Sequence, residues 1–190
     1  MTIRWTRSLP RVLSRPGRVT LPAEVGQALG IGRGERLLAW SSLVGGGAAA
    51  ATITHLRIVT SRGKQIAEPW VEVDHAVWEQ NSRMLVIWWV STRAATGLEI
   101  QDDVGRLPEV VRERVQSSVV LAAPVPLPDG RSGRVALRRR SDGTLCAQSL
   151  VPPGVRKDAP EVAATLTAAL AALWSEAGGQ GLNDEQLPGL

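Results

Sequence analysis

A single cysteine, Cys146, stands in this 190-residue chain, so no disulfide can form within it. For the same reason no thiolate zinc cage can be assembled. Tyrosine and phenylalanine are missing altogether. A phenolic general acid is therefore excluded, and any base-stacking platform must come from the seven tryptophans or the two histidines. Lysine is nearly absent, with only Lys64 and Lys157, so positive charge is almost all arginine. No stretch approaches the roughly 18 apolar residues that span a bilayer. The N-terminal residues carry Arg4, Arg7, Arg11, Arg15 and Arg18 among polar residues and prolines, without the apolar run of a secretory signal. Together these absences predict a soluble, cytoplasmic protein.

What is present is apolar and mildly basic. Hydrophobic residues make up 44% of the chain, enough for one sizeable core and too many for disorder. A net charge of +4 over this length falls short of the basic stripe of a dedicated nucleic-acid binder. The most telling stretch is Pro69 to Trp78. There Trp70, Glu72, Asp74, Ala76 and Trp78 alternate with Val71, Val73, His75 and Val77, a two-residue period that predicts a strand. Met84 to Val90 is a continuous apolar block with branched and aromatic residues, which predicts a strand buried on both faces.

Turn and cap residues divide the rest. Pro16 to Pro22 reads as a short strand, after which Pro22 opens a brief helix over Ala23–Leu29. Leu21, Val25 and Leu29 share one face of it, and Gly30 supplies a left-handed stop. Strands follow at Glu35–Trp40, Ala48–Thr54 and Leu56–Thr60, separated by Gly45-Gly46-Gly47 and Ser61–Lys64. After a short strand at Leu98–Ile100, Pro108 and Glu109 suit a first helical turn. The Val111 and Val115 stripe ends near Ser117-Ser118, before the strand-like Val119–Leu121. Arg134–Arg140 and Thr144–Leu150 form a hairpin across Ser141-Asp142-Gly143. The last helix is capped by Asp158 with Glu161 in a capping box, carries Val162, Leu166, Leu170, Leu173 and Trp174 on one face, and stops at Gly178-Gly179. A polar, mobile tail over 179–190 is expected beyond it.

No motif in the chain assembles a catalytic set. His55 and His75 sit inside strand patterns without the spaced carboxylates or thiols of a metal cage, and no serine lies in a nucleophile elbow. Glu72 and Asp74 read as a solvent face, Cys146 as a small buried thiol, and the glycine clusters as turns rather than phosphate cradles. The densest positive cluster is Arg131, Arg134, Arg138 and Arg140. On a strand the last three share a face that can contact phosphate or another anion, with Arg139 opposite beside Val135 and Leu137. The alternative is a solvated edge strand that charge protects against pairing.

Two resemblances bear on this reading. Gly17 to Val25, with Leu29-Gly30-Ile31 and Gly34 to Leu37, resembles the swapped-hairpin module of AbrB/SpoVT-type regulators, which implies an interlocked dimer that binds DNA. Over residues 34–121 the chain resembles PH-like domains of actinobacterial proteins. The pieces that carry this are Gly34–Trp40, Ala51–Val59, Pro69–Val73, Leu85–Trp88 and Leu107–Val115 with Ser117-Ser118-Val119. That resemblance implies a bent antiparallel sheet, or split barrel, closed by a helix, and implies no particular ligand. The expectation is thus a single α+β domain over residues 1–178, with an N-terminal arm over 1–30, an additional β-hairpin and a C-terminal helix. A non-enzymatic binding or scaffold role with a protein partner and no cofactor or metal follows. DNA binding through Arg15, Arg18, Arg33 and Arg36, and peripheral binding to anionic lipid, are the alternatives.

Overall fold

The computed structural model describes residues 20–91, 94–101 and 105–178. The chain is α+β, with three helices and three antiparallel sheets among those residues. After helix α1 (Ala23–Ala28) come four strands in sequential order: β1 (Leu37–Ser42), β2 (Gly47–Thr52), β3 (His55–Thr60) and β4 (Gln65–Pro69). A second sheet follows from β5 (Val73–Glu79), β6 (Met84–Trp89) and β7 (Thr96–Glu99). Helix α2 (Leu107–Ser118) leads into a third sheet of β8 (Val119–Pro126), β9 (Ser132–Arg139) and β10 (Leu145–Leu150), with β9 central. Helix α3 (Pro160–Glu176) ends the described chain.

The first two sheets share one core. Alternating residues of β6 (Leu85, Ile87 and Trp89) point into it beside Leu56, Ile58, Trp70 and Val73. Leu107, Val110, Val111 and Val115 bring α2 across the top. The sheets meet at one corner, where Leu43 bridges Ile100 and the Val44 amide donates to the Glu99 carbonyl at 2.8 Å. No closed barrel forms among the described residues. The outer face of β1–β3 is covered by α1, with Leu21, Val25 and Leu29 packed on Ala48, Ala50 and Val59. The third sheet has its own core, in which Val135, Leu137 and Ala147 receive the predicted α3 stripe. Each fully buried leucine of that stripe contributes roughly 1.5–3 kcal/mol.

Several expectations need correction. Pro69–Trp78 is not one strand: Trp70–Glu72 form a 3₁₀ turn, and a bulge lies between Val73 and His75. Trp70 and Val71 are both buried there, so the two-residue period fails at its start. Nor is β6 buried on both faces. Leu85, Ile87 and Trp89 lie inside, while Met84, Val86 and Trp88 on the other side are half-buried. Leading residues also mislead at α3. Ala159 is its N-cap, Pro160 its first residue, and Asp158 pairs instead with Arg156 at 3.2 Å. The predicted hairpin, β9–β10, is two strands of a three-stranded sheet, since β8 joins the other edge of β9. Residues 20–22 are not a strand; the rest of that expected strand, most of the N-terminal arm and the tail lie outside the described residues.

At one glycine the turn chemistry is steric as well as conformational. Gly47 has φ 96°, and a Cβ placed there would stand 2.2 Å from the Val59 carbonyl oxygen of the neighbouring strand. Gly47→Ala is expected to cost about 3 kcal/mol or more in urea unfolding, since both the backbone conformation and the β2–β3 pairing must give way.

Candidate functional site

The 3₁₀ turn at Trp70–Glu72 is where polar chemistry concentrates, because its carbonyls face the third sheet instead of a β-ladder. Arg138 reaches them from β9. Its Nη2 donates to the carbonyls of Trp70 and Val73, each at 2.9 Å, and Nε and Nη2 donate to Ser118 Oγ at 2.9 and 2.6 Å. Gln148 Nε2 on β10 donates to the Val71 carbonyl at 2.7 Å. Arg138 is only 2% exposed, and burial brings its pKa down to about 10. Cys146 sits opposite Arg138 on β10, buried as predicted, and burial pushes its thiol up.

A second centre adjoins the first. The bulge in β5 re-aims Asp74, whose carboxylate accepts from Arg134 of β9 and lies 2.8 Å from His75 Nδ1. The His75 ring stacks on Trp88 at 4.5 Å and 8°. Burial lowers the His75 pKa below its ordinary value. The Asp74 carboxylate favours the imidazolium, but it is already shared with Arg134, and desolvation prevails. The arrangement is a half-buried carboxylate–imidazole pair braced by Arg134 and Trp88.

The third centre lies on the first sheet. Glu35 accepts from Thr52 Oγ1 at 2.7 Å and from Arg57 Nε at 3.1 Å, with Arg57 Nη2 2.9 Å from its other oxygen. Burial raises this carboxyl, yet the hydrogen bonds from Arg57 and Thr52 outweigh it and hold the pKa below its ordinary value. His55 stands 3.8 Å from Glu35 and 2.8 Å from Thr54 Oγ1. This network ties the loop before β1 to the β2–β3 turn. A cleft of about 680 Å³ opens at the corner of the first two sheets, lined by Trp40, Ser41, Ser42, Arg83 and Gln101. Among its described lining there is no imidazole or carboxylate. No group of three or more His, Cys, Asp or Glu that could hold a metal occurs among the described residues.

The structure disperses the four arginines proposed for anion contact. Arg138 is inside the molecule, and Arg134 leans against Asp74. Arg131 pairs with Asp129 at 2.7 Å and donates to the Pro153 carbonyl at 2.9 Å, pinning the β8–β9 turn to the loop before α3. Arg140 is exposed just beyond the end of β9, where its amide donates to the Thr144 carbonyl at 2.8 Å. The shared face exists, but its far side is the 3₁₀ turn rather than solvent. Glu72 and Asp74 likewise do not form one solvent face, since the turn and the bulge separate them. Exposed tryptophans would serve as anchors for a partner; Trp70 and Trp89 are buried, and Trp40, Trp78 and Trp88 are half-buried. Ser118, Gln148 and the Asp74–Arg134 pair carried no sequence signal; a buried arginine opposite carbonyls is invisible without knowing that the turn exists.

No protein-family model, no curated protein and no solved structure matches the chain. No helix among the described residues is long and apolar enough to cross a membrane.

Two measurements check these centres. Arg138→Ala leaves the Trp70 and Val73 carbonyls and Ser118 Oγ without their donor, and is expected to lower the unfolding free energy by about 3 kcal/mol in urea. Arg138→Lys should recover less than half of that, because an ammonium lacks the planar fork. For His75, the folded pKa lies below the unfolded one. Its stabilising effect is therefore full above about pH 6.5 and is lost as pH falls through the lower, folded value. The stability difference between the natural protein and His75→Gln should shrink from pH 7.5 to pH 5, and the His75 Cε1 proton should titrate with a midpoint below about 6.5.

Proposed function

We propose that this chain is a non-enzymatic binding protein that engages a protein partner, with its first two sheets and α2 forming a PH-like unit. The observation that carries the reading is the element order. Four sequential antiparallel strands, then three, then a helix laid over both sheets support the helix-closed antiparallel β unit that the resemblance over residues 34–121 implies, though as two sheets that meet at a corner rather than a closed barrel. The polar centres support a binding role over a chemical one. Arg138, Glu35 and Asp74 are each engaged by neighbours that hold the fold together, so their donors and acceptors are not aimed at a substrate. The dispersal of Arg131, Arg134, Arg138 and Arg140 takes weight from readings that need one cationic face for DNA or anionic lipid.

Affinity capture of the natural protein from extract of its own cells, with cross-linking and nuclease treatment, tests the proposal. A polypeptide recovered in stoichiometric amount, resistant to nuclease and to mild detergent, is the expected result. Recovery of nucleic acid or lipid in its place would overturn it.

A further inference from the structure

We propose that the outer face of the second sheet is a docking surface for an amphipathic helix of a partner protein, one that sets a basic residue over Glu79 and Glu99 and small or branched apolar residues along the rest. The inference rests on the protein-binding reading above and gives that partner a shape and a charge. Strand register arranges this face in three rows. Glu79, Met84 and Glu99 lie side by side across β5, β6 and β7. Val77, Val86 and Gly97 form the middle row, and His75 and Trp88 the third. Their neighbours in the chain, among them Ala76, Leu85, Ile87 and Leu98, are buried in the core, so the rows point away from it.

Two observations mark the face for a partner. Val77 is 39% exposed, one of three large hydrophobic residues exposed among those described, with Val86 and Trp88 half-buried beside it. Trp88 is also held in place before any contact. Its ring stacks on His75, His75 Nδ1 lies 2.8 Å from Asp74, and Asp74 accepts from Arg134 of β9. An indole already fixed loses little rotamer freedom on binding, and tryptophan anchors concentrate interface energy.

Charge decides what fits. Neither Glu79 nor Glu99 pairs with a cation among the described residues, and the Glu79 carboxylate accepts from Ser82 Oγ at 3.0 Å. Two strands apart, their backbones stand roughly 10 Å from each other, with the Met84 thioether between. One lysine or arginine laid over that sulfur reaches both carboxylates. The same two charges repel phosphate, which turns nucleic acid and anionic lipid away from this face. A second copy would bring the same charges, and a face of roughly 14 by 20 Å falls well below the roughly 800 Å² per partner of a stable dimer.

Row spacing decides the shape. Alternate residues of a strand are roughly 6.8 Å apart, and residues i and i+4 of a helix rise by about 6 Å. A helix lying along the strands therefore matches the rows with a basic residue at i and apolar residues at i+4 and i+8. In that direction the positive end of its dipole also lies over the carboxylates. Gly97 adds no side chain to the middle row, so the helix can settle against Val77 and Val86.

A display library of single helices, randomised on one face and selected against the natural protein, tests this. Enriched helices should carry Lys or Arg at i with Ala, Val or Ile at i+4 and i+8. The protein with both Glu79→Lys and Glu99→Lys, altered only at exposed positions, should bind them roughly tenfold more weakly or worse. In the natural protein the Trp88 indole N–H resonance should shift on binding, while that of buried Trp70 stays put. Enriched helices without the basic residue, binding indifferent to the two lysines, an unmoved Trp88 resonance or a library without binders would each overturn the surface. Capture from cell extract separates it from the broader reading. A polypeptide recovered equally by the natural and the doubly substituted protein discards this face and leaves the protein-binding role standing, whereas recovery of none discards that role as well. A dimer in light scattering that the two lysines abolish would instead assign the face to a second copy.

Discussion

Backbone carbonyls that have left a β-ladder must find donors, and in this protein that requirement joins the two halves of the molecule. The chain leaves β4 at Pro69, turns once in a 3₁₀ conformation, and only then enters β5. Three carbonyls on this short path, those of Trp70, Val71 and Val73, are met by Arg138 and Gln148 from the third sheet. A buried guanidinium with no carboxylate beside it would be costly in isolation. Here its Nε and Nη2 donate to fixed backbone dipoles and one serine hydroxyl, which helps the charge to be tolerated.

The same requirement explains why the interface between the third sheet and the rest is unlike either core. The α3 side of that sheet is apolar, with Val135 and Leu137 under Leu166 and Leu170. Its other side presents Arg134, Arg138 and Gln148, all of them engaged with the turn or with Asp74. Alternation along β9 thus separates two kinds of contact: shape-driven packing on one side and directional bonding on the other. Hydrogen-bond geometry constrains orientation more tightly than apolar contact does, so the polar face fixes how the third sheet sits on the first two.

Legibility in the sequence followed how local the determining physics was. The α3 stripe, the Gly30 stop after α1, the hairpin turn at Ser141–Gly143 and the end of α2 at Ser118 depend on neighbours a few residues away, and they could be read. Burial of Cys146 could be read as well. What failed depended on partners far along the chain. Alternation in Pro69–Trp78 was genuine as a pattern, but the turn exists because Arg138 lies 68 residues on from Trp70. Arg134 and Arg138 looked like a solvent face because β-periodicity tells which residues share a side and never what covers that side. Asp158 looked like a cap because Glu161 followed at the right spacing, yet its carboxylate turned to Arg156.

The long reach of Arg138 has a consequence for biosynthesis. As the polypeptide leaves the ribosome, the strands of the first two sheets and α2 emerge before β9 does. Through that interval the carbonyls at Trp70, Val71 and Val73 lack the donors of Arg138 and Gln148 and have only water to bond to. Completion of the early-made half therefore waits on residues synthesised later, and nascent chains halted short of Arg138 would expose the Trp70–Val73 segment to chaperones and proteases.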